Sequence, residues 1–132
     1  HLLNKIRFEP TVAELDQGAN PEDVFINHVM SLVEKNLDNE SFGIQTLVRE
    51  LHMSQSTLYR KITSLTGLSL TGFVRSIRLK VSAQLILSSD LSLSEIAYQV
   101  GFNDYKYFKT SFKKQFNCVP SQYKDYVRQG EA

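Results

Sequence analysis

Several absences narrow the possibilities before any motif is considered. A single cysteine, Cys118, is the whole complement of the 132 residues, so no internal disulfide can form. The histidines, His1, His28 and His52, are too scattered to join it at metal-ligand spacing, which removes a structural zinc. No apolar run approaches the roughly 18 residues of a membrane span, and no basic start leads into an apolar stretch of the secretory kind. Membrane contact by this segment is therefore not expected, and a cytoplasmic location is. The chain opens on His1 instead of Met, so it reads as a piece of something longer. With 42% hydrophobic residues, it has enough apolar surface for one or two small cores in a soluble globular domain, burying about two thirds of the unfolded surface.

Charge is unevenly distributed. Residues 1–40 carry three bases, Lys5, Arg7 and Lys35, against eight acids, for −5; residues 41–132 carry twelve bases against six acids, for +6, which together give the net +1. An asymmetry of this kind points the second part of the chain toward a polyanion, although mildly basic surfaces also occur in proteins that bind none.

Periodicity is helical throughout. Residues 1–20 mix apolar and polar types around Pro10 and Gly18 and read as a linker from a preceding domain. At Asn20 and Pro21 a helix begins, with an N-cap, a proline suited to the first position and acids at Glu22 and Asp23. Val24, Phe25, Val29, Leu32, Val33 and Leu37 form its stripe, and its end is expected near Asn39. Further on there is no sustained strand alternation and no Asn-Gly or Asp-Gly hairpin signal, so the class is all-α. The longest segment, Leu70 to Ser88, follows a plausible N-cap at Ser69 and holds no proline. Leu70, Phe73, Val74, Ile77, Val81 and Leu85 form one stripe and Leu79, Ala83 and Ile86 a second, so both sides should be packed. Its 19 residues span roughly 28 Å, a rigid linker helix.

A repeat of about fifty residues flanks that helix. Leu47, Val48 and Leu51 match Ile96, Ala97 and Val100 at an offset of 49, whereas Leu58, Ile62 and Gly67 match Phe108, Phe112 and Asn117 at 50. The second register continues through Phe73 and Tyr123, Ile77 and Val127, and Arg78 and Arg128, so one extra residue sits in the second turn. Each unit is a short helix, a break around His52-Met53-Ser54 or Gly101-Phe102-Asn103, and a second helix with a polar start: the sequence form of a helix-turn-helix. The expected divisions are a first helix-turn-helix over 44–67, the linker helix over 70–88, a second helix-turn-helix over 93–117 and a C-terminal helix over 120–128, within a domain of residues 21–129. Gly67 and Asn117 stand where a left-handed residue ends the second helix.

The outer face of each second helix carries the chemistry. With Leu58, Ile62 and Leu65 inward, Ser56, Tyr59, Arg60 and Thr63 face out, and Gln55 stands at the exposed start. With Phe108, Phe112 and Phe116 inward, Lys106, Lys109, Thr110 and Lys113 face out. Both faces lack acids, since Asp104 is better placed as a cap. Such a mixture suits a major groove, where Arg reads guanine, Gln reads adenine, and Lys and hydroxyls hold phosphates. Any one of these lysines could equally be a solvated surface residue; two acid-free faces in register favour the groove. Successive major grooves lie roughly 34 Å apart, close to the span of the linker helix plus half a helix width at each end.

The stretches SQSTLYRKITSLTGLSLTGFVRSIRLKVSAQLI and LSLSEIAYQVGFNDYKYFKTSFKKQFNCVPSQY resemble the DNA-binding domain of AraC/XylS-type bacterial transcription regulators. With the first helix, the resemblance covers residues 20–128, and IAYQVGF, YFKTSFKKQF and Pro120-Ser121-Gln122-Tyr123 are its most specific parts. It implies about seven helices in two homeodomain-like helix-turn-helix subdomains. It also implies contacts to double-stranded promoter DNA from Gln55, Ser56, Tyr59 and Arg60 in the first unit and from Tyr105, Lys106, Tyr107, Lys109, Thr110 and Lys113 in the second. Tyr105 lies at the edge of the Phe108 to Phe112 stripe and could be partly core. RNA polymerase is an implied partner in activation, and the acidic segment before Pro21 resembles the version of the domain that follows a receiver in hybrid two-component regulators. The chain departs from the family at Leu70, often proline, at Asn117, often glycine, and at Val119, often Ser or Thr.

Two rivals belong to other classes. Enzymatic activity finds no support: Gly67 to Gly72 is one residue too long for a nucleophile elbow, no phosphate loop or HExxH is present, and no cofactor is implied. Cys118 reads as a small apolar filler rather than a nucleophile. A helical protein-binding module remains the alternative, and it calls for apolar anchors on the outer faces, which the lysines of the second face oppose.

Overall fold

The computed structural model describes residues 20–38 and 42–131, so the predicted linker, apart from Asn20, lies outside the described residues. These residues contain seven α-helices and no strand: α1 (Pro21–Lys35), α2 (Ile44–Leu51), α3 (Gln55–Thr66), α4 (Leu70–Ser88), α5 (Leu93–Gln99), α6 (Tyr105–Phe116) and α7 (Tyr123–Glu131). A 3-10 turn over Pro120–Gln122 leads into α7, closed by the Gln122 N–H donating to the Val119 carbonyl at 3.0 Å. No helix among the described residues is long and apolar enough to cross a membrane.

Local chemistry accounts for most helix ends. Asn20 Oδ1 accepts from the Glu22 N–H at 2.8 Å with Pro21 behind it, and Ser69 Oγ accepts from the Gly72 N–H at 3.0 Å. Ser92 and Glu95 form a reciprocal capping box, each side chain accepting from the other's backbone N–H at 3.1 Å. Gly67 (φ 75°) and Asn117 (φ 65°) take the left-handed conformation at the ends of α3 and α6. The first helix stops at Lys35, four residues before the predicted end. Asn36 turns its amide back to the Leu32 carbonyl at 2.7 Å and leaves helical geometry at φ −121°, so Leu37 is released from the stripe.

The chain forms two compact units, the first of residues 20–36 and 42–77 and the second of residues 37–38 and 78–131. In the first, Ile26, Val29, Met30 and Val33 of α1 are buried, as are Leu47 of α2, Leu58 and Ile62 of α3, and Leu70, Phe73 and Ile77 of α4. In the second, Leu79, Ala83 and Ile86 of α4 join Ile96, Ala97, Val100, Phe102, Phe108 and Phe112 in one core, with Leu37, Phe116 and Tyr123 packed against it. The change of unit falls inside α4, between Ile77 and Arg78. The long helix is therefore more than a spacer, because its first half supplies buried residues to one unit and its second half to the other. That division explains the repeat, in which α7 follows the second helix-turn-helix as the start of α4 follows the first.

Arg78 fixes the second unit. Its Nη1 donates to the carbonyls of Leu37 at 2.8 Å and Val100 at 2.7 Å. Burial holds its pKa below the ordinary arginine value, which still leaves it charged. Gly101, at φ 96°, lets the backbone come this close: a Cβ there would collide with the Arg78 guanidinium and stand 2.8 Å from the Leu37 carbonyl. Arg128, its counterpart in the repeat, is exposed, with Asp125 at 3.8 Å.

Candidate nucleic-acid interface

Each helix-turn-helix is held by the same backbone pattern. In the first, the N–H groups of His52 and Met53 donate to the carbonyls of Arg49 and Val48, both at 3.4 Å; in the second, those of Gly101 and Phe102 donate to Tyr98 at 3.0 Å and Ala97 at 2.9 Å. His52 (φ 54°) and Gly101 (φ 96°) are the left-handed residues that turn the chain. Three residues then separate α2 from α3 and five separate α5 from α6, of which Val100 corresponds to Leu51, the last residue of α2; the remaining difference is the extra residue of the repeat. Ser54 Oγ accepts from the Thr57 N–H at 3.2 Å, and Asp104 Oδ1 accepts from Lys106 at 2.9 Å and Tyr107 at 3.4 Å. Asp104 is occupied as a cap, which leaves the lysine-bearing face of α6 free of acids.

On α3, Leu58 and Ile62 are wholly buried, and Gln55, Ser56, Tyr59 and Arg60 are exposed. Gln55 lies between two partners: Gln45 Nε2 donates to its Oε1 at 3.3 Å, and its own Nε2 donates to the Tyr59 hydroxyl at 3.0 Å. Thr63 is exposed too, but its hydroxyl donates to the Leu68 carbonyl at 3.1 Å and helps close the helix end. Lys61 places its ammonium 4.2 Å from the centre of the Phe25 ring on α1.

On α6, Phe108 and Phe112 are wholly buried while Lys106, Lys109, Thr110 and Lys113 are exposed. The Thr110 hydroxyl donates back to the Lys106 carbonyl at 3.0 Å, so what it offers outward is its acceptor capacity. Tyr105 and Tyr107 are exposed, yet each ring packs on a core phenylalanine, Tyr105 at 5.8 Å from Phe108 and Tyr107 at 5.8 Å from Phe102. All ten residues singled out in the sequence thus stand exposed on the second helices, in two groups, one per unit.

Sequence reasoning missed Gln45, which stands on α2 and not on a second helix. A polar residue at the start of the first helix, ten positions before Gln55, was the available signal.

A family model described as a helix-turn-helix domain matches residues 47–126. The chain is 37% identical over 117 residues to a protein named histidine kinase P4 from Formosa agariphila, covering 89% of this chain and 8% of that protein. It is 31% identical over 118 residues to the HTH-type transcriptional activator RhaS of Salmonella schwarzengrund, covering 89% of this chain and 41% of that one. It therefore spans less than half the length of these relatives. Among solved structures, it is similar to the DNA-binding domain of AdpA, a global transcriptional factor in complex with a target DNA. The TM-score there is 0.66 at 27% identity, over 79% of this chain and 93% of that one.

Proposed function

The chain belongs to the AraC-type helix-turn-helix family of DNA-binding transcription regulators, and from that membership we propose that α3 and α6 are its recognition helices. Each enters a major groove of double-stranded promoter DNA, the two grooves being successive turns of the duplex. Gln55, Ser56, Tyr59 and Arg60 meet the DNA from the first unit. Tyr105, Lys106, Tyr107, Lys109, Thr110 and Lys113 meet it from the second. The domain serves in activation, in the cytoplasm, as the output end of a longer two-component regulator. The naming of one relative as a histidine kinase and of another as a transcriptional activator supports that wider setting. RNA polymerase and an upstream receiver or sensor domain are the further partners.

The observation that carries the reading is the pair of exposed, acid-free faces on α3 and α6, each on a helix whose other side is locked into a core by wholly buried residues. A helix so anchored can bring Arg and Lys to DNA without itself moving. Arg60 suits the bidentate edge of guanine and the lysines of α6 suit phosphates. Arg60→Ala should cost roughly 1 to 3 kcal/mol on a cognate duplex and relax selectivity at one position. Lys113→Ala should weaken all duplexes alike and lower the slope of log affinity against log salt by about 1. Unchanged binding in both variants, or an affinity insensitive to salt, contradicts the assignment.

A further inference from the structure

The groove reading leaves Gln45 without a role, yet it is bonded to Gln55, one of the residues that reading brings to the DNA. We propose that Gln45, on the supporting helix α2, is a specificity-determining residue of the first unit that orients the Gln55 amide for adenine. The inference rests on α3 entering a major groove.

A carboxamide has two acceptor sites on its oxygen and two N–H donors. Gln45 Nε2 takes one of the acceptor sites on Gln55 Oε1, at 3.3 Å, and the Tyr59 hydroxyl takes one of the Gln55 donors, at 3.0 Å. One acceptor and one donor remain, and adenine presents their complement in the major groove, the N6 amino group and N7. An unrestrained glutamine at an exposed helix start turns freely about its broad terminal torsion, and half of those orientations place the donor where the acceptor is needed. Gln45 and Tyr59 hold the amide from its two ends, so the ordering is in place before DNA arrives. The relay also leaves its mark on Tyr59. Its hydroxyl oxygen accepts from Gln55, so its proton remains available to donate outward to a base acceptor or a phosphate oxygen. In the second unit the repeat places Ser94 and Tyr105 at the corresponding positions, and neither has an amide. The relay belongs to the first unit, which makes the two half-sites unequal in how they are read.

Binding of the chain to duplexes that carry each of the four base pairs at every position of a selected site tests the idea. Gln55→Ala should lower the preference for adenine at one position roughly tenfold or more. Gln45→Ala should lower it roughly threefold to tenfold at that same position and leave the others unchanged. The double variant should match Gln55→Ala alone, because one residue acts through the other. Gln45→Glu, whose carboxylate can only accept, should turn the Gln55 amide round and reduce the preference further than Gln45→Ala. All these positions are exposed, so thermal unfolding should not change. Equal weakening on every duplex by Gln45→Ala, adding to the loss from Gln55→Ala, would make Gln45 a phosphate contact and overturn the proposal. Should the unsubstituted chain prefer no sequence at all, the DNA reading fails and takes this inference with it. A sequence preference kept intact in Gln45→Ala sinks the inference alone.

Discussion

Gly101→Ala is expected to be the most damaging single-methyl change in the second unit. The new Cβ would collide with the Arg78 guanidinium and stand 2.8 Å from the Leu37 carbonyl, on a residue held at φ 96°. A side chain in left-handed backbone costs about 1–2 kcal/mol. Because Nη1 of Arg78 makes both bonds, to Leu37 and Val100, its displacement breaks both, and bonds from a charged donor contribute about 1.5–3 kcal/mol each. Strain plus the loss of even one bond comes to about 2.5–5 kcal/mol. Domains of this size hold about 5–15 kcal/mol in total, so the second unit should be left marginal, with its melting temperature lowered by more than about 10 °C. Urea unfolding followed by circular dichroism would read the loss, with amide exchange to separate the two units, since two units need not unfold as one. The cycle with Arg78→Ala is the sharper test. With the guanidinium gone, Gly101→Ala still meets the Leu37 carbonyl and the left-handed strain of about 1–2 kcal/mol but no longer breaks the Arg78 bonds, so it should cost about 2 kcal/mol less than in the parent. An equal cost in both backgrounds, or a cost under about 1 kcal/mol in the parent, would refute the packing of Gly101 against Arg78.

Three further outcomes follow from single residues. His52 turns the first helix-turn-helix at φ 54°, where the second uses glycine, so His52→Gly should raise the stability of the first unit by about 0.5–1 kcal/mol in the same unfolding assay. Hydrogen bonds from Ser92, through its backbone first and its side chain second, hold the Glu95 carboxyl below its usual pKa. A depressed carboxylate stabilises the fold above its unfolded pKa, so the advantage of the parent over Glu95→Gln should be present at neutral pH and vanish as the pH falls from about the ordinary glutamate value through the lower folded one. Burial pushes the Cys118 thiol up, and it is nearly enclosed, so a maleimide should label it slowly in the native chain and rapidly in denaturant.

What the sequence made legible was local chemistry. Asn20 and Ser69 as caps, Gly67 and Asn117 as left-handed ends, and Phe108 and Phe112 as core positions depend on neighbours within one or two turns, and each appears in the structure as expected. The exposed positions on α3 and α6 were legible for the same reason, because an inward stripe defines its own opposite face. The role of Arg78 was not. The repeat pairs it with Arg128, but its partners are carbonyls 41 and 22 residues away, and backbone acceptors leave no trace in residue types. The end of α1 was misplaced because Leu37 continues the apolar spacing, and only the side-chain bond of Asn36 shows that the helix has already stopped. Gln45 escaped because its bond to Gln55 crosses the turn between two helices, a pairing that periodicity within one helix cannot reveal.

Selection of bound duplexes from a random pool bears most directly on the claim that two anchored helix faces read DNA. Two enriched blocks, with centres about 10 base pairs apart, are the expected result, and Arg60→Ala should blur one position in one of them. Recovery of no motif, or of a single block that survives alanine at both Arg60 and Lys109, would contradict it.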